Sequence, residues 1–310
     1  MTALRADVTE LALGTWGLSG DAYGPVSQAE AEAVVDRALE LGITLFDTAD
    51  CYAHGRMEQL LGDRIRKSGR EVFVLTRIGT DRSGARARKN FEPTWLRTAF
   101  EKSRERLGRE KVDVCMLHNP AASTIERGDA VSVLSELVAA GSLRAWGVSA
   151  GSQEVAIAAV EAGAKVIEVP YNIFHAKLLH GIAGEVAMRG VSVIARSVLS
   201  HGLLAAHWGP DRSFDEGDHR RDRWSPESLR RRVAQLHLVR SLVGGEVLTP
   251  RAAAVRFVLA NSLVTSAVLG PKSTAQLDQL VREAGSGPPY LPEDKLSILP
   301  SRLLSAGIHT

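Results

Sequence analysis

Four ionisable side chains fall at or just past the ends of three consecutive apolar runs. Asp47 closes ITLFDT (43–48) with Tyr52 five residues on, Arg77 follows VFVLT (72–76), and His118 closes VDVCMLH (112–118). A phenol beside a permanently charged guanidinium, a carboxylate and an imidazole suits proton donation to a carbonyl oxygen. The guanidinium favours the phenolate, the carboxylate holds the guanidinium, and the imidazole can orient the substrate oxygen or share the proton. A lone Asp or His at such a position is often only a structural cap; four at successive ends point to chemistry. A second pattern follows TSAVLG (265–270), where Lys272-Ser273-Thr274 opens a helix. A helix start carrying a Lys and two hydroxyls suits a phosphate, and it equally suits ordinary Ser/Thr capping with an exposed Lys.

Positioning these residues requires a scaffold whose strands all end on one face. The runs are LALGTW (11–16), 43–48, 72–76, 112–118, LRAWGVS (143–149), KVIEVPY (165–171), VSVIARS (191–197) and 265–270. Amphipathic segments separate them, so the pattern reads as eight parallel β/α units. In 310 residues a single closed (β/α)8 TIM barrel, class α/β, spanning 1–310 is the economical solution. Helix punctuation agrees: a capping box at Ser27–Glu30 with closure on Gly42, closure of FEPTWLRTAFEKSRERLG on Gly108, and Thr249-Pro250 opening AAAVRFVLANS. The irregular stretch near 205–225 exceeds a simple βα connection and reads as a mobile loop over a site or a disordered insertion.

Composition narrows the function. Lys+Arg 38 against Asp+Glu 36 leaves +2, too balanced for a dedicated nucleic-acid or polybasic membrane protein. The runs HRRDR (219–223) and LRRRV (229–233) read as a solvated loop and helix face. Cys51 and Cys115 cannot build a disulfide framework, and no apolar stretch reaches membrane-spanning length, so a cytoplasmic protein without nucleic-acid or membrane partners is expected. No GxGxxG or P-loop occurs. His175 and His180 lack companions at metal-ligand spacing, so no metal is expected.

The segment GITLFDTADCYAHGRMEQLLGD (42–63) resembles the aldo-keto reductase signature, with Asp47, Tyr52, Gly55 and Glu58 in place, and VDVCMLHNP (112–120) resembles the segment that supplies the family's histidine. GTWGL, GVS, VPYN, RSVLSHGLL and LGPKSTAQL follow in family order, so the resemblance covers about residues 10–283. It implies a hydride-transferring oxidoreductase using NADPH or, in some members, NADH on a small carbonyl or alcohol. Carried over, Tyr52 is the general acid, Asp47 its support and His118 the orienting imidazole. Trp16 and Asn119 touch substrate, with barrel-mouth packing an equal reading for Trp16. Gly14, Thr15, Ser149, Glu168, Arg196, Ser197, Leu199, Gly270, Lys272, Ser273, Thr274 and Gln276 hold the cofactor, with Lys272 favouring NADPH. The departures are Arg77 for the usual Lys, Glu168 for a frequent Gln, Arg196 for a frequent Tyr, and Ala150 and Leu280 for frequent Asn residues. Arg77 keeps the charge but not the geometry. The expectation is that it pairs with Asp47 and points less charge at Tyr52, so that Arg77→Lys raises turnover, unless the pocket has adapted to Arg. The departures keep two other readings open: a cofactor-binding regulator without turnover, and a non-redox lyase or epimerase.

Overall fold

The computed structural model describes residue 4 and residues 7–84 and 86–309. Eight strands close a parallel barrel: β1 Leu11–Gly14, β2 Leu45–Asp47, β3 Phe73–Ile78, β4 Val112–His118, β5 Leu143–Ser149, β6 Val166–Pro170, β7 Ser192–Arg196 and β8 Val264–Leu269. Each is bonded to its neighbours in chain order, and β8 closes on β1 through Leu11↔Ala267. The expected (β/α)8 barrel is the observed fold.

The outer helices are α1 Gln28–Glu40, α2 Arg56–Ser68, α3 Pro93–Leu107, α4 Asp129–Ala139, α5 Gln153–Glu161, α6 Ala183–Met188, α7 Pro250–Leu259 and α8 Thr274–Ala284. Local chemistry sets their ends. Ser27 and Glu30 exchange both capping-box bonds at α1, Gly108 closes α3 in the left-handed region, and the Thr249 side chain accepts from the Ala252 amide. Their inward faces and the outward-facing strand residues form the main core, including Val34, Phe46, Leu61, Leu96, Phe100 and Val148.

Inside the barrel a separate plug forms from Ala12, Leu45, Leu75, Val114, Met116, Val166 and Ile194, joined by Leu4. Side chains alternate along a strand with a period of two. Two residues beyond Leu45, Leu75, Met116, Val166 and Ile194 stand Asp47, Arg77, His118, Glu168 and Arg196. The parity that fills the lower barrel with hydrocarbon therefore aims five ionisable side chains into its upper mouth.

Three parts depart from the sequence reading. β1 stops at Gly14, because Thr15 takes helical angles and Trp16–Leu18 form a 3-10 turn. β3 runs on to Ile78, which puts Arg77 within the strand. Helices at Pro226–Ala234, Leu236–Arg240 and α9 (Glu293–Ser305) build a second apolar cluster with Trp208, Leu236, Val239, Leu299 and Leu303. The 205–225 segment belongs partly to that cluster. It runs as turns across the barrel mouth and is pinned by a Tyr23↔Asp218 bridge and a bond from the His219 amide to the Ala22 carbonyl. It lies over the cavity described below. Among the described residues no helix is long and apolar enough to cross a membrane.

Candidate active site

A cavity of about 750 Å³ opens at the C-terminal ends of the strands, within the range of small-molecule and cofactor sites. At its base lies the Arg77 guanidinium, 3% exposed. One terminal nitrogen, Nη2, donates to Asp47 Oδ1 and, at 3.1 Å, to Glu168 Oε1; the other, Nη1, donates to the Tyr52 hydroxyl. Asp47 is 3% and Glu168 0% exposed. The guanidinium thus serves both carboxylates and the phenol at once. It pairs with Asp47 as expected, and its fork also reaches Tyr52.

Burial dominates the electrostatics. It pushes the Tyr52 hydroxyl above its ordinary range; Arg77 pulls it back, and Asp47 and Glu168 add to the rise. Burial likewise raises Asp47 against the pull of Arg77. Burial opposes the charge of Arg77, but Asp47 and then Glu168 outweigh it and hold the guanidinium charged. His118 is driven well below its usual value by burial, then by Arg77 and Lys89, so the imidazole is neutral. Its ring stands edge-on to Tyr52 with centroids 6.3 Å apart, and its Nδ1 lies 3.7 Å from Cys51 Sγ and 3.4 Å from Thr80 Oγ1.

The Tyr52 loop is shaped by its own sequence. Ala53, His54 and Gly55 all have positive φ, and the Ala53 amide donates to Asp21. At Gly55 (φ +88°) the backbone favours glycine, and an added Cβ would meet the Arg106 guanidinium at 2.5 Å and have to displace it. Arg106 in turn donates to Glu58, which is fully buried and accepts from Thr76 of β3. The Gly and Glu of the signature are therefore the anchors of the turn that presents Tyr52.

The cavity wall holds Gly14, Trp16, Asn119, Ser149, Glu168, Arg196, Ser197, Leu199, Gly270, Lys272 and Gln276 of the expected residues. Thr15, Ser273 and Thr274 stand behind it. The Thr15 hydroxyl donates to the Asp47 carbonyl and lies beside Thr48 Oγ1. Ser273 caps α8 through the Gln276 amide, and Thr274 is the first residue of that helix. Lys272 Nζ reaches back to the Tyr23 carbonyl at 2.7 Å. Glu168 Oε2 and Arg196 Nε are buried without hydrogen-bond partners on this wall.

The sequence reading missed the roof. Tyr23, His201, His207, Trp208, Arg220 and Arg223 also line the cavity. Tyr23 Oη and His201 Nδ1 are 3.1 Å apart, the His219 ring packs 4.6 Å from Trp16, and Arg220 lies over the Tyr23 ring. Burial, then Arg223, holds His201 down at about 3; burial and Arg223 hold His219 at about 4. The HRRDR run is therefore only partly a solvated loop: Arg221 and Asp222 are exposed, while His219 and Arg220 turn inward. A positively charged run followed by Trp224 on a connection too long for its barrel step was the available signal. His175 and His180 are exposed.

A closed (β/α)8 barrel with a buried carboxylate, guanidinium, phenol and imidazole around one deep cavity defines a small-molecule enzyme of the barrel oxidoreductase kind. Residues 10–285 match the sequence profile of the Aldo/keto reductase family, and the chain belongs to that family. Its members are oxidoreductases that act on carbonyl or alcohol substrates with nicotinamide cofactors. The chain is 26% identical to pyridoxal 4-dehydrogenase from Microbacterium luteolum, covering 88% of this chain and 89% of that protein. It is 25% identical to an NADP(+) aldo-keto reductase from Schizosaccharomyces pombe, covering 88% and 82%. Among solved structures, glycerol dehydrogenase from Gluconobacter oxydans superposes with a TM-score of 0.84 at 24% identity, covering 98% of this chain and 94% of that one; this likeness concerns the fold.

Proposed function

We propose that the protein transfers hydride between NADP(H) and a small aldehyde, ketone or sugar-like alcohol, with Tyr52 as the proton donor in reduction and acceptor in oxidation. The observation that carries this reading is the Tyr52 hydroxyl: it is held by Arg77 at the base of the cavity, with Trp16 on one side and His118 on the other.

The wall suits a dinucleotide. Its size, the Glu168 Oε2–Arg196 Nε pair, 3.9 Å apart and without a hydrogen bond, and the polar Ser149 would receive the amide-bearing ring and its ribose. Lys272 with Gln276 at the start of α8 would receive a terminal phosphate, where helix amides and the ammonium act together. When bound, the cofactor supplies or accepts the hydride. The residues of the chain do the rest. Tyr52 delivers its proton to the developing alkoxide, Arg77 stabilises the phenolate left behind, and Asp47 with Glu168 keeps the guanidinium in place. Neutral His118 offers a ring N–H to orient the carbonyl oxygen, and the Trp16 and strap aromatics exclude water.

The reading is tested by following reduced-nicotinamide absorbance with a panel of aldehydes and ketones, for wild type and Tyr52→Phe. Turnover in the wild type and a fall of about 10²-fold or more in the variant, with cofactor affinity kept, is expected. Survival of turnover within a few-fold in Tyr52→Phe would remove Tyr52 from the role. Cofactor binding with no turnover on any substrate selects the regulator reading, which the double carboxylate load on Arg77 favours.

A further inference from the structure

We propose that Asp50, Cys51 and His118 form a binding site for a zinc-type divalent cation at the Nδ1 edge of His118. Asp50 and Cys51 sit in the turn after β2, and His118 ends β4. A carboxylate oxygen of Asp50, Sγ of Cys51 and Nδ1 of His118 all lie within 4.8 Å of one another. Ligands around tetrahedral zinc stand about 3.3–3.8 Å apart, given metal–ligand bonds of about 2.0–2.3 Å. The Cys51–His118 pair, at 3.7 Å, already has that spacing. A shift of the Asp50 side chain by about 1 Å completes three protein ligands, with water in the fourth position.

An independent observation marks the same place. Asp50 Oδ1 is buried without a hydrogen-bond partner, an arrangement that is costly for a carboxylate and is relieved by a cation. Asp50 and Cys51 also line a second cavity of about 190 Å³, behind the first, bounded by His54, Thr80, Arg82, Trp95 and Lys102. One sulfur, one imidazole nitrogen and one carboxylate oxygen suit zinc better than calcium or magnesium, which take oxygen ligands.

Charge balances. Binding deprotonates the thiol and, since burial raises the Asp50 carboxyl to about 8, that group as well, releasing up to two protons to solvent, and the thiolate and carboxylate then neutralise the dication. The neighbouring cations are tied elsewhere in part: Arg82 to Asp21 and the Cys51 carbonyl, Arg106 to Glu58. Lys89, with Nζ 3.0 Å from Thr80 Oγ1 and 2.6 Å from the His118 carbonyl, opposes the ion, as do Arg77 and the Lys102 that bounds the second cavity. Metal at Nδ1 would pin the His118 ring and set a dication beside Tyr52, giving a reversible shut-off of turnover. That consequence rests on the proposed reductase reading; the binding does not.

The test titrates cobalt(II) alone into chelator-treated full-length protein and then displaces it with zinc. A thiolate-to-cobalt charge-transfer band with one equivalent bound is expected. Cys51→Ser should abolish the band, and Asp50→Asn should weaken affinity about tenfold or more. Lys89→Gln should tighten it, a change that a damaged fold would not produce. Absence of the band in wild type, its persistence in Cys51→Ser, or weaker binding in a folded Lys89→Gln variant each overturns the site. Zinc inhibition of turnover in wild type that Cys51→Ser relieves supports the shut-off. An intact cobalt spectrum in a protein without turnover upholds the site and counts against the reductase reading.

Discussion

Replacing Arg77 by Lys tests how the buried charges at the base of the cavity depend on one another. The guanidinium makes three contacts, to Asp47, Glu168 and Tyr52. An ammonium also has three donors, but they diverge from one nitrogen on a shorter reach, so it is expected to keep Asp47 and Tyr52 and to lose Glu168. Glu168, with no exposed surface, then loses its ion pair at Oε1 and keeps only the Arg196 guanidinium, 3.9 Å from its Oε2 and without a hydrogen bond. A charge-assisted bond contributes about 1.5–3 kcal/mol, and an unpaired buried charge costs at least as much. Arg77→Lys is therefore expected to lower unfolding free energy by about 3 kcal/mol and turnover by about tenfold or more. This reverses the expectation drawn from Lys-bearing relatives. Glu168→Gln removes the stranded charge, so Arg77→Lys/Glu168→Gln should recover about 1.5 kcal/mol or more relative to the sum of the single changes. Denaturant unfolding of the four proteins at neutral pH gives the coupling energy, and kcat on one carbonyl substrate gives its kinetic counterpart. Additivity within about 0.5 kcal/mol would refute the argument that Glu168 acts through Arg77.

Three further outcomes follow from the roof, the turn and the helix start. His201 is held neutral in the fold, at about 3 against an ordinary 6.5; the unfolded chain takes up its proton first, so stability present above pH 6.5 is lost as pH falls below it. Between pH 6.5 and 5 the wild type should lose about 2 kcal/mol more than His201→Asn, and parallel unfolding curves for the two would contradict this. Gly55→Ala places a side chain at positive φ and against Arg106; a loss of about 1–3 kcal/mol by thermal or denaturant unfolding is expected, and an unchanged midpoint would show that the turn relaxes freely. Lys272→Ala should reduce NADPH affinity about tenfold or more while leaving NADH affinity unchanged, as read by fluorescence titration; equal losses for both cofactors would place Lys272 away from the phosphate.

What was legible followed from periodicity. The eight strands are readable because each is a short apolar run bounded by turn chemistry. Asp47, Arg77 and His118 are readable because a residue's parity on a strand fixes which way it faces. The end of β1 was overrun because Thr15 and Trp16 have strand-like side chains; the backbone turns there because the Thr15 hydroxyl and amide are both spent on the Asp47 carbonyl. Tyr23, His201 and His219 were not legible. They meet through loops about 180 to 200 positions apart in the chain, and nothing local in either segment encodes the other. The partnership of Glu168 with Arg77 was hidden for a related reason: each was noticed as a departure alone, and only the register of β3 and β6 around the barrel shows that the two departures touch.

The parity that layers the barrel also separates two kinds of evolutionary constraint. Leu45, Leu75, Met116, Val166 and Ile194 fill the lower storey, and Asp47, Arg77, His118, Glu168 and Arg196 stand in the upper one, two residues further along the same strands. A substitution upstairs leaves the hydrocarbon packing below untouched, so it is screened chiefly by the buried charges beside it. Charges there are exchanged at least cost in matched sets, a longer cation with an extra carboxylate. The same arrangement makes this mouth a place where new specificities can be written by altering a few adjacent strand ends together, and where altering one of them singly is the costly step.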